Sequence, residues 1–101
     1  MTTTAPATAG SILADYAEGI AFVAEERPAT TISDFVDQLC TAIHNFGMAG
    51  INGIEELEDA ATYLNDADRA TDDNERNVLL TRADKNLAYA DDMVDEYRDM
   101  V

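Results

Sequence analysis

One apolar stripe in the last third of the chain constrains the fold more than any other feature of the sequence. A stripe with an average spacing of about 3.67 residues stays on one face of a straight α-helix. The sequence therefore predicts one long helix over residues 71–100. The stripe consists of Leu79, Ala83, Leu87, Ala90, Val94, Tyr97 and Val101.

The earlier part of the chain shows the same helical period, and no stretch alternates with the two-residue period of a β-strand. It predicts three shorter helices, over residues 11–26, 32–46 and 53–69. The predicted fold class is all-α, a small antiparallel bundle of about four helices with a long C-terminal helix. Residues 1–10 are predicted to be a disordered tail, and residues 11–101 a single acidic domain.

Local signals set the predicted helix ends. Ser11, Thr31 and Asn52 stand where an N-cap side chain is expected. Pro28 ends the first helix, because the residue before a proline is pushed out of the α region. Gly47 is expected just after the end of the second helix, where a left-handed conformation is common.

The predicted fourth helix is about 43 Å long and the third about 25 Å, so the fourth helix extends beyond its neighbour. An apolar stripe left in water is uncommon, and we expect something to cover the extension. A homodimer is the favoured cover, with a different partner or a fold-back of the first helices as alternatives. A break in the helix around residues 86–92 would remove the problem. The predicted oligomerisation residues are Leu87, Val94, Tyr97 and Val101.

The chain is strongly acidic, with 21 acidic and 6 basic residues and a net charge of −15. Residues 51–101 carry 15 of the acids and 5 of the bases. Such a surface repels nucleic acid and anionic membranes and attracts basic proteins. The sequence has no signal peptide and no apolar run of membrane-spanning length, which predicts a cytoplasmic protein.

No residue pattern predicts catalysis, a cofactor or a bound metal. Cys40 and His44 are the only residues of their types, so they cannot complete a zinc site, and a buried Cys40 acting as a small apolar residue is the simpler interpretation. A calcium loop starting at Asp66 fails at Ala70, Thr71 and Asn77, and an acidic helix–helix turn explains the same segment. The sequence therefore predicts a protein that is not an enzyme.

The acids near the C-terminus repel one another. Asp91–Asp95, Asp92–Glu96 and Asp95–Asp99 are spaced four residues apart, and each like-charge pair costs a helix about 0.2–0.5 kcal/mol. Contact with arginine and lysine side chains would relieve this repulsion. The predicted partner-binding surface lies on the third and fourth helices. Its residues are Asp66, Asp68, Asp72, Asp73, Asp84, Asp91, Asp92, Asp95, Glu96 and Asp99.

This surface predicts an inhibitor that presents carboxylates, in place of DNA phosphates, to a basic protein, with nucleic-acid-binding proteins and nucleases as the candidate partners. In composition alone the chain resembles the small acidic helical proteins of phage and the immunity proteins that block nucleases. That resemblance implies a DNA mimic or anti-defence protein of a phage or mobile element. Two alternatives stay open. One is adaptation to strong salt, which screens the repulsion. The other is a generic acidic helical protein that acts through its apolar stripe.

Overall fold

A computed structural model describes residues 7–100, and within them the secondary structure is entirely helical. Helix α1 spans Ala9–Ala24, α2 Ile32–Ala49, α3 Ile54–Arg69 and α4 Asp73–Met100. The predicted all-α bundle of four helices is confirmed, and so is the long C-terminal helix. No helix of the described residues combines the length and the apolar character needed to cross a membrane.

Helix α1 begins earlier than the sequence predicted. The N-cap is Thr8, not Ser11: the Thr8 hydroxyl accepts a hydrogen bond from the Ser11 backbone N–H at 3.0 Å, and the Ser11 hydroxyl accepts one from the Thr8 N–H at 2.9 Å. This reciprocal pairing satisfies two backbone donors at the helix start. The last two residues of the predicted tail are therefore helical, and residues 1–6 lie outside the described part of the chain.

Thr31 caps α2 as predicted, since its hydroxyl accepts a hydrogen bond from the Asp34 N–H at 3.2 Å. The predicted end of this helix was wrong. The helix continues through Gly47 to Ala49, and Gly50 terminates it in the left-handed conformation at φ +71°. Of the two glycines, the one that adopts positive φ ends the helix.

Gly53, not the predicted Asn52, precedes α3 as its N-cap, and no side chain caps this helix. The residue has φ +111°, and a Cβ atom at this position would lie 3.1 Å from Met93 Cγ. The positive φ requires glycine here, and the close approach of the Met93 side chain also disfavours a larger residue.

The helices are antiparallel only in part. Helix α3 is antiparallel to α4, because Gly53 at its start lies beside Met93 and Ala67 near its end lies beside Arg76. Helix α1 instead runs in the same direction as α4: Tyr16 contacts Asp84, and further along both helices Gly19 lies against Asp91 and Val94.

Helix α1 is also parallel to α2. Asn45, near the end of α2, donates a hydrogen bond at 2.7 Å to the carbonyl of Val23, near the end of α1. The connection over residues 25–31 must therefore return along α2. The buried Gln38 side chain holds this connection by donating a hydrogen bond from Nε2 to the carbonyl of Arg27.

Helix α1 and the end of α2 cover the part of α4 that extends beyond α3. Phe22 meets Tyr97 edge to face with ring centroids 6.2 Å apart, and Phe46 lies on Tyr97 at 6.1 Å. Leu87 and Val94 are each only 1% exposed. The apolar stripe is thus covered by a fold-back of the first helices, one of the alternatives left open by the sequence.

The predicted oligomerisation residues are therefore not available to form a dimer surface. Leu87 and Val94 are enclosed within one chain, Tyr97 is half-buried against α1 and α2, and Val101 lies outside the described residues. At the other end of the stripe Leu80 is buried, whereas Leu79 is half-buried. The proposed reason for a dimer, an uncovered apolar stripe, is removed.

Gly53→Ala should destabilise the fold. The substitution forces an L-residue into positive φ and pushes its Cβ against Met93, at a cost of about 1–3 kcal/mol. The melting temperature should fall by about 5–15 °C in a circular-dichroism melt. Gly10→Ala is the matched control: this glycine is helical, and the nearest atom to its Cβ position is 3.9 Å away. If the two variants have the same melting temperature, the claim that Gly53 is strained and closely packed is wrong.

Candidate acidic interface between α1 and α4

The structure does not bring the ten predicted partner-binding acids onto one surface. Asp66, Asp68, Asp72 and Asp73 lie at the α3–α4 turn. The remaining predicted acids lie further along α4, where the distance from Asp73 to Asp91 is about 27 Å along the helix axis. The two groups are at different ends of the molecule and are considered separately.

At the turn, two of the acids hold the fold together. A carboxylate oxygen of Asp72 accepts a hydrogen bond from the Glu75 N–H at 3.1 Å, as expected of an N-cap. Asp73 forms an ion pair with Arg76 at 3.0 Å, and the same arginine donates to the carbonyls of Ala67 and Ala70. These contacts support the interpretation of this segment as an acidic helix–helix turn.

The second group lies along the contact between α1 and α4. The Asp91 carboxylate lies directly over Gly19 of α1, 3.4 Å from the position that a Cβ would occupy. The Tyr16 hydroxyl donates a weak hydrogen bond of 3.4 Å to the carbonyl of Asp84. Asp15 lies one turn before Gly19, on the same face of α1. We call this group the acidic seam, and it consists of Asp15, Asp84, Asp91, Asp95 and Asp99.

Two groups in the seam have perturbed pKa values. Burial raises the pKa of Asp91 above its usual 3.8, and the charges of Asp95 and Asp92 raise it further, whereas Arg98 lowers it. Burial also raises the pKa of the Tyr16 hydroxyl to about 12, with a further contribution from the charge of Asp84. The raised pKa values mean that a negative charge on the Asp91 carboxyl or on the Tyr16 hydroxyl is less favourable here than in water.

Arg98 partly offsets the charge at one end of the seam. Its guanidinium lies over the Phe22 ring, 5.1 Å from the centroid, and this contact ties the last turn of α4 to α1. The residue is three positions after Asp95, a spacing that brings two helical side chains together. The seam is therefore most electronegative before its last turn, around Asp91.

Asp92 and Glu96 belong to a different side of α4. Each residue turns an α-helix by about 100°, so Asp92 points well away from Asp91 and Glu96 well away from Asp95. Both residues are exposed, as Asp91, Asp95 and Asp99 are. Of the ten predicted acids, only Asp84, Asp91, Asp95 and Asp99 lie along the seam.

Sequence reasoning assigned the acidic surface to the third and fourth helices and missed the contribution of α1. Asp15 was not predicted to take part, because the parallel packing of α1 on α4 is not encoded in the period of either helix. Gly19 was the available signal. A glycine in the middle of an otherwise regular helix often marks a close approach of another element.

The structure corrects the interpretation of Cys40 as a core residue. Cys40 and His44 are both exposed on the outer side of α2. Within residues 7–100, no group of three or more histidine, cysteine, aspartate or glutamate side chains is arranged to hold a metal ion.

Comparison of the chain with protein-family models, with curated proteins and with solved structures gives no match. A functional argument for this protein therefore depends on the geometry and the charge of its own surface.

Asp91→Asn should stabilise the protein at neutral pH. Folding raises the pKa of Asp91, so ionisation of its carboxyl opposes folding, and this cost appears as the pH rises above about 3.8. We expect the melting temperature at pH 7 to rise by about 2–4 °C, and the gain to vanish near pH 3.

Asp59→Asn is the control for Asp91→Asn. Asp59 is exposed on α3 and also has an acid four residues away, Glu55, so the two substitutions remove the same charge and a similar helical repulsion. Thermal melts at pH 3 and pH 7 should show a larger pH-dependent gain for the Asp91 variant. Equal gains would contradict a desolvated carboxylate at the seam.

Proposed function

We propose that this protein is a non-enzymatic binding module whose acidic seam engages the basic surface of a nucleic-acid-binding protein and thereby inhibits it. The proposal keeps four of the ten carboxylates expected from the sequence, Asp84, Asp91, Asp95 and Asp99, and adds Asp15 of α1. The turn acids Asp72 and Asp73 are left out because their hydrogen bonds and ion pair serve the fold.

One observation carries the proposal: the exposed Asp91 carboxylate lies against Gly19 of α1, 3.4 Å from the position of a Cβ there, with another acid one turn along α4. Its raised pKa reflects partial burial and the charge of Asp95. A cationic side chain placed on the seam would stabilise Asp91 and relieve the repulsion. The attraction between the seam and a cation exists only in the complex, whereas in the free protein the carboxylates repel one another. This difference favours binding to a basic partner.

The rigidity of the seam supports competition with nucleic acid. Asp91, Asp95 and Asp99 follow one another at single-turn intervals on a helix whose inner face is buried against α1 and α3. They form a line of negative charge that requires little ordering when a partner binds. Proteins that bind nucleic acid recognise the same kind of feature in the phosphate backbone.

The alternative in which the protein acts through its apolar α4 stripe lacks a surface to support it, since Leu87 and Val94 are buried within the chain. Adaptation to strong salt is the remaining alternative. It attributes the acids to solvation and gives no special role to the seam.

The seam is tested by reversing Asp91, Asp95 and Asp99 to lysine and measuring binding of a fluorescent deca-arginine peptide by anisotropy. Three lost ion pairs, each worth up to about 1 kcal/mol, should raise the Kd by about tenfold at low salt. The fold should be retained, because the three reversals bring the net charge from −15 to −9 and place opposite charges three residues apart, at positions 92 and 95 and at positions 96 and 99.

The matched control reverses Glu55, Glu58 and Asp59 on α3, which are all exposed. This variant has the same net charge as the seam variant, so a purely non-specific attraction would weaken equally in both. We expect the α3 variant to bind within about threefold of the wild type. Equal losses in the two variants, or no binding by the wild type, would contradict the proposed role of the seam.

A further inference from the structure

The side of α4 that faces solvent carries a second ordered surface, which adjoins the acidic seam at Asp99. Its residues follow one another at intervals of three or four and lie within a narrow sector of the helix. We call this surface the neutral stripe, and it consists of Val78, Arg82, Lys85, Tyr89, Asp92, Glu96 and Met100. All seven residues are exposed.

Three of the seven residues of the neutral stripe are large, apolar and exposed. Val78 is 49% exposed, Tyr89 48% and Met100 57%, and these three are among the five large apolar side chains most exposed on the described residues. They stand at the two ends and the middle of the stripe, about 33 Å from first to last.

The charges of the neutral stripe are arranged nearly symmetrically about Tyr89. Arg82 lies seven residues before it and Glu96 seven after, and Lys85 lies four residues before it and Asp92 three after. The stripe therefore balances its own charge, although the chain as a whole carries −15.

We propose that a second copy of this chain binds along the neutral stripe, with the two α4 helices antiparallel and the two-fold axis at Tyr89. In that arrangement Lys85 of each copy meets Asp92 of the other, and Arg82 meets Glu96. Tyr89 meets its own equivalent, and Val78 meets Met100. A two-fold interface requires this kind of self-complementary surface.

Within residues 7–100 the two bases of the stripe have no ion-pair partner, and the same holds for Arg27, Arg69 and Arg98. Across residues 7–100 the only ion pair within 4.0 Å joins Arg76 and Asp73. Arg82 lies over the Tyr63 ring at 5.9 Å, and neither Arg82 nor Lys85 has a carboxylate partner among these residues despite the excess of acid. The antiparallel copy supplies each of these two bases with a carboxylate partner.

Charge also fixes the direction of the partner, and surface shape agrees. A parallel copy would place Lys85 against Lys85 and Asp92 against Asp92, which disfavours that arrangement. Beside Val78 and Arg82 lies a shallow groove of about 310 Å³, also lined by Asn77, Thr81 and Lys85. In the antiparallel arrangement Met100 of the second copy lies over this groove.

The inference is independent of the proposed function. The neutral stripe uses Asp92 and Glu96, which are turned about 100° around the helix from Asp91 and Asp95, so a dimer leaves those two seam carboxylates of each copy available, whereas Asp99 adjoins the stripe. Loss of dimerisation and loss of peptide binding are therefore separate results.

The test is a charge exchange measured by sedimentation equilibrium at low salt. Lys85→Glu and Asp92→Lys, made singly, should each raise the dimer Kd by about tenfold or more, because each change breaks two symmetric pairs. The double variant Lys85→Glu/Asp92→Lys should restore a Kd near the wild-type value, since the pairs re-form with opposite polarity.

Two controls distinguish the effect of ion pairing between the two copies from the effect of a changed net charge. Asp59→Lys on α3 changes the net charge as Asp92→Lys does and should leave the dimer intact. Lys85→Glu/Asp59→Lys has the net charge of the exchanged variant and should stay weakened. A wild-type protein that is monomeric at about 0.5 mM, or an exchanged variant no tighter than the single variants, would overturn the proposal.

Discussion

The structure depends on the packing of α1, in a parallel direction, along the second half of α4. Phe22 and Phe46 enclose Tyr97 at the end of this contact, and Gly19 lets α1 approach close to Asp91 and Val94. Without α1, the part of α4 beyond α3 would expose its apolar face. The long connection over residues 25–31, anchored by Gln38, is what returns the chain so that α2 can run parallel to α1.

The same contact explains how the fold tolerates its charge. Each like-charge pair four residues apart on a helix costs about 0.2–0.5 kcal/mol, whereas burying one large apolar side chain contributes about 1.5–3 kcal/mol. Leu87 and Val94 are fully buried beneath the acids, so apolar packing outweighs the repulsion between the carboxylates above it. The acids are held together by a core that does not depend on them. A surface of this kind can be selected for binding, because changes in its charge leave the fold in place.

The sequence predicted the helices well because the period of their apolar residues reflects burial directly. Thr31 was correct as a cap, since a hydroxyl at that spacing has one obvious donor, the N–H of Asp34. Asn52 was wrong because the choice at that position depends on Met93, forty residues away in the chain. The sequence predicted the seam only in part. The acids of α4 could be identified from their spacing along one helix, but the position of Asp15 beside them depends on the direction in which α1 packs. The connection over residues 25–31 sets that direction. Its residues follow no helical or strand period, so the direction could not be predicted from them.

Thermal unfolding in about 10 mM and about 2 M salt, followed by circular dichroism, tests the central claim most directly, because this range spans weak to nearly complete screening. The account holds that apolar packing of α1 on α4 keeps the charged seam together without help from salt. It predicts a helical protein with a cooperative transition at low salt, and a modest rise in melting temperature at high salt. A chain that is unfolded at low salt and folds only in strong salt would contradict the account and identify the acids as an adaptation to salt.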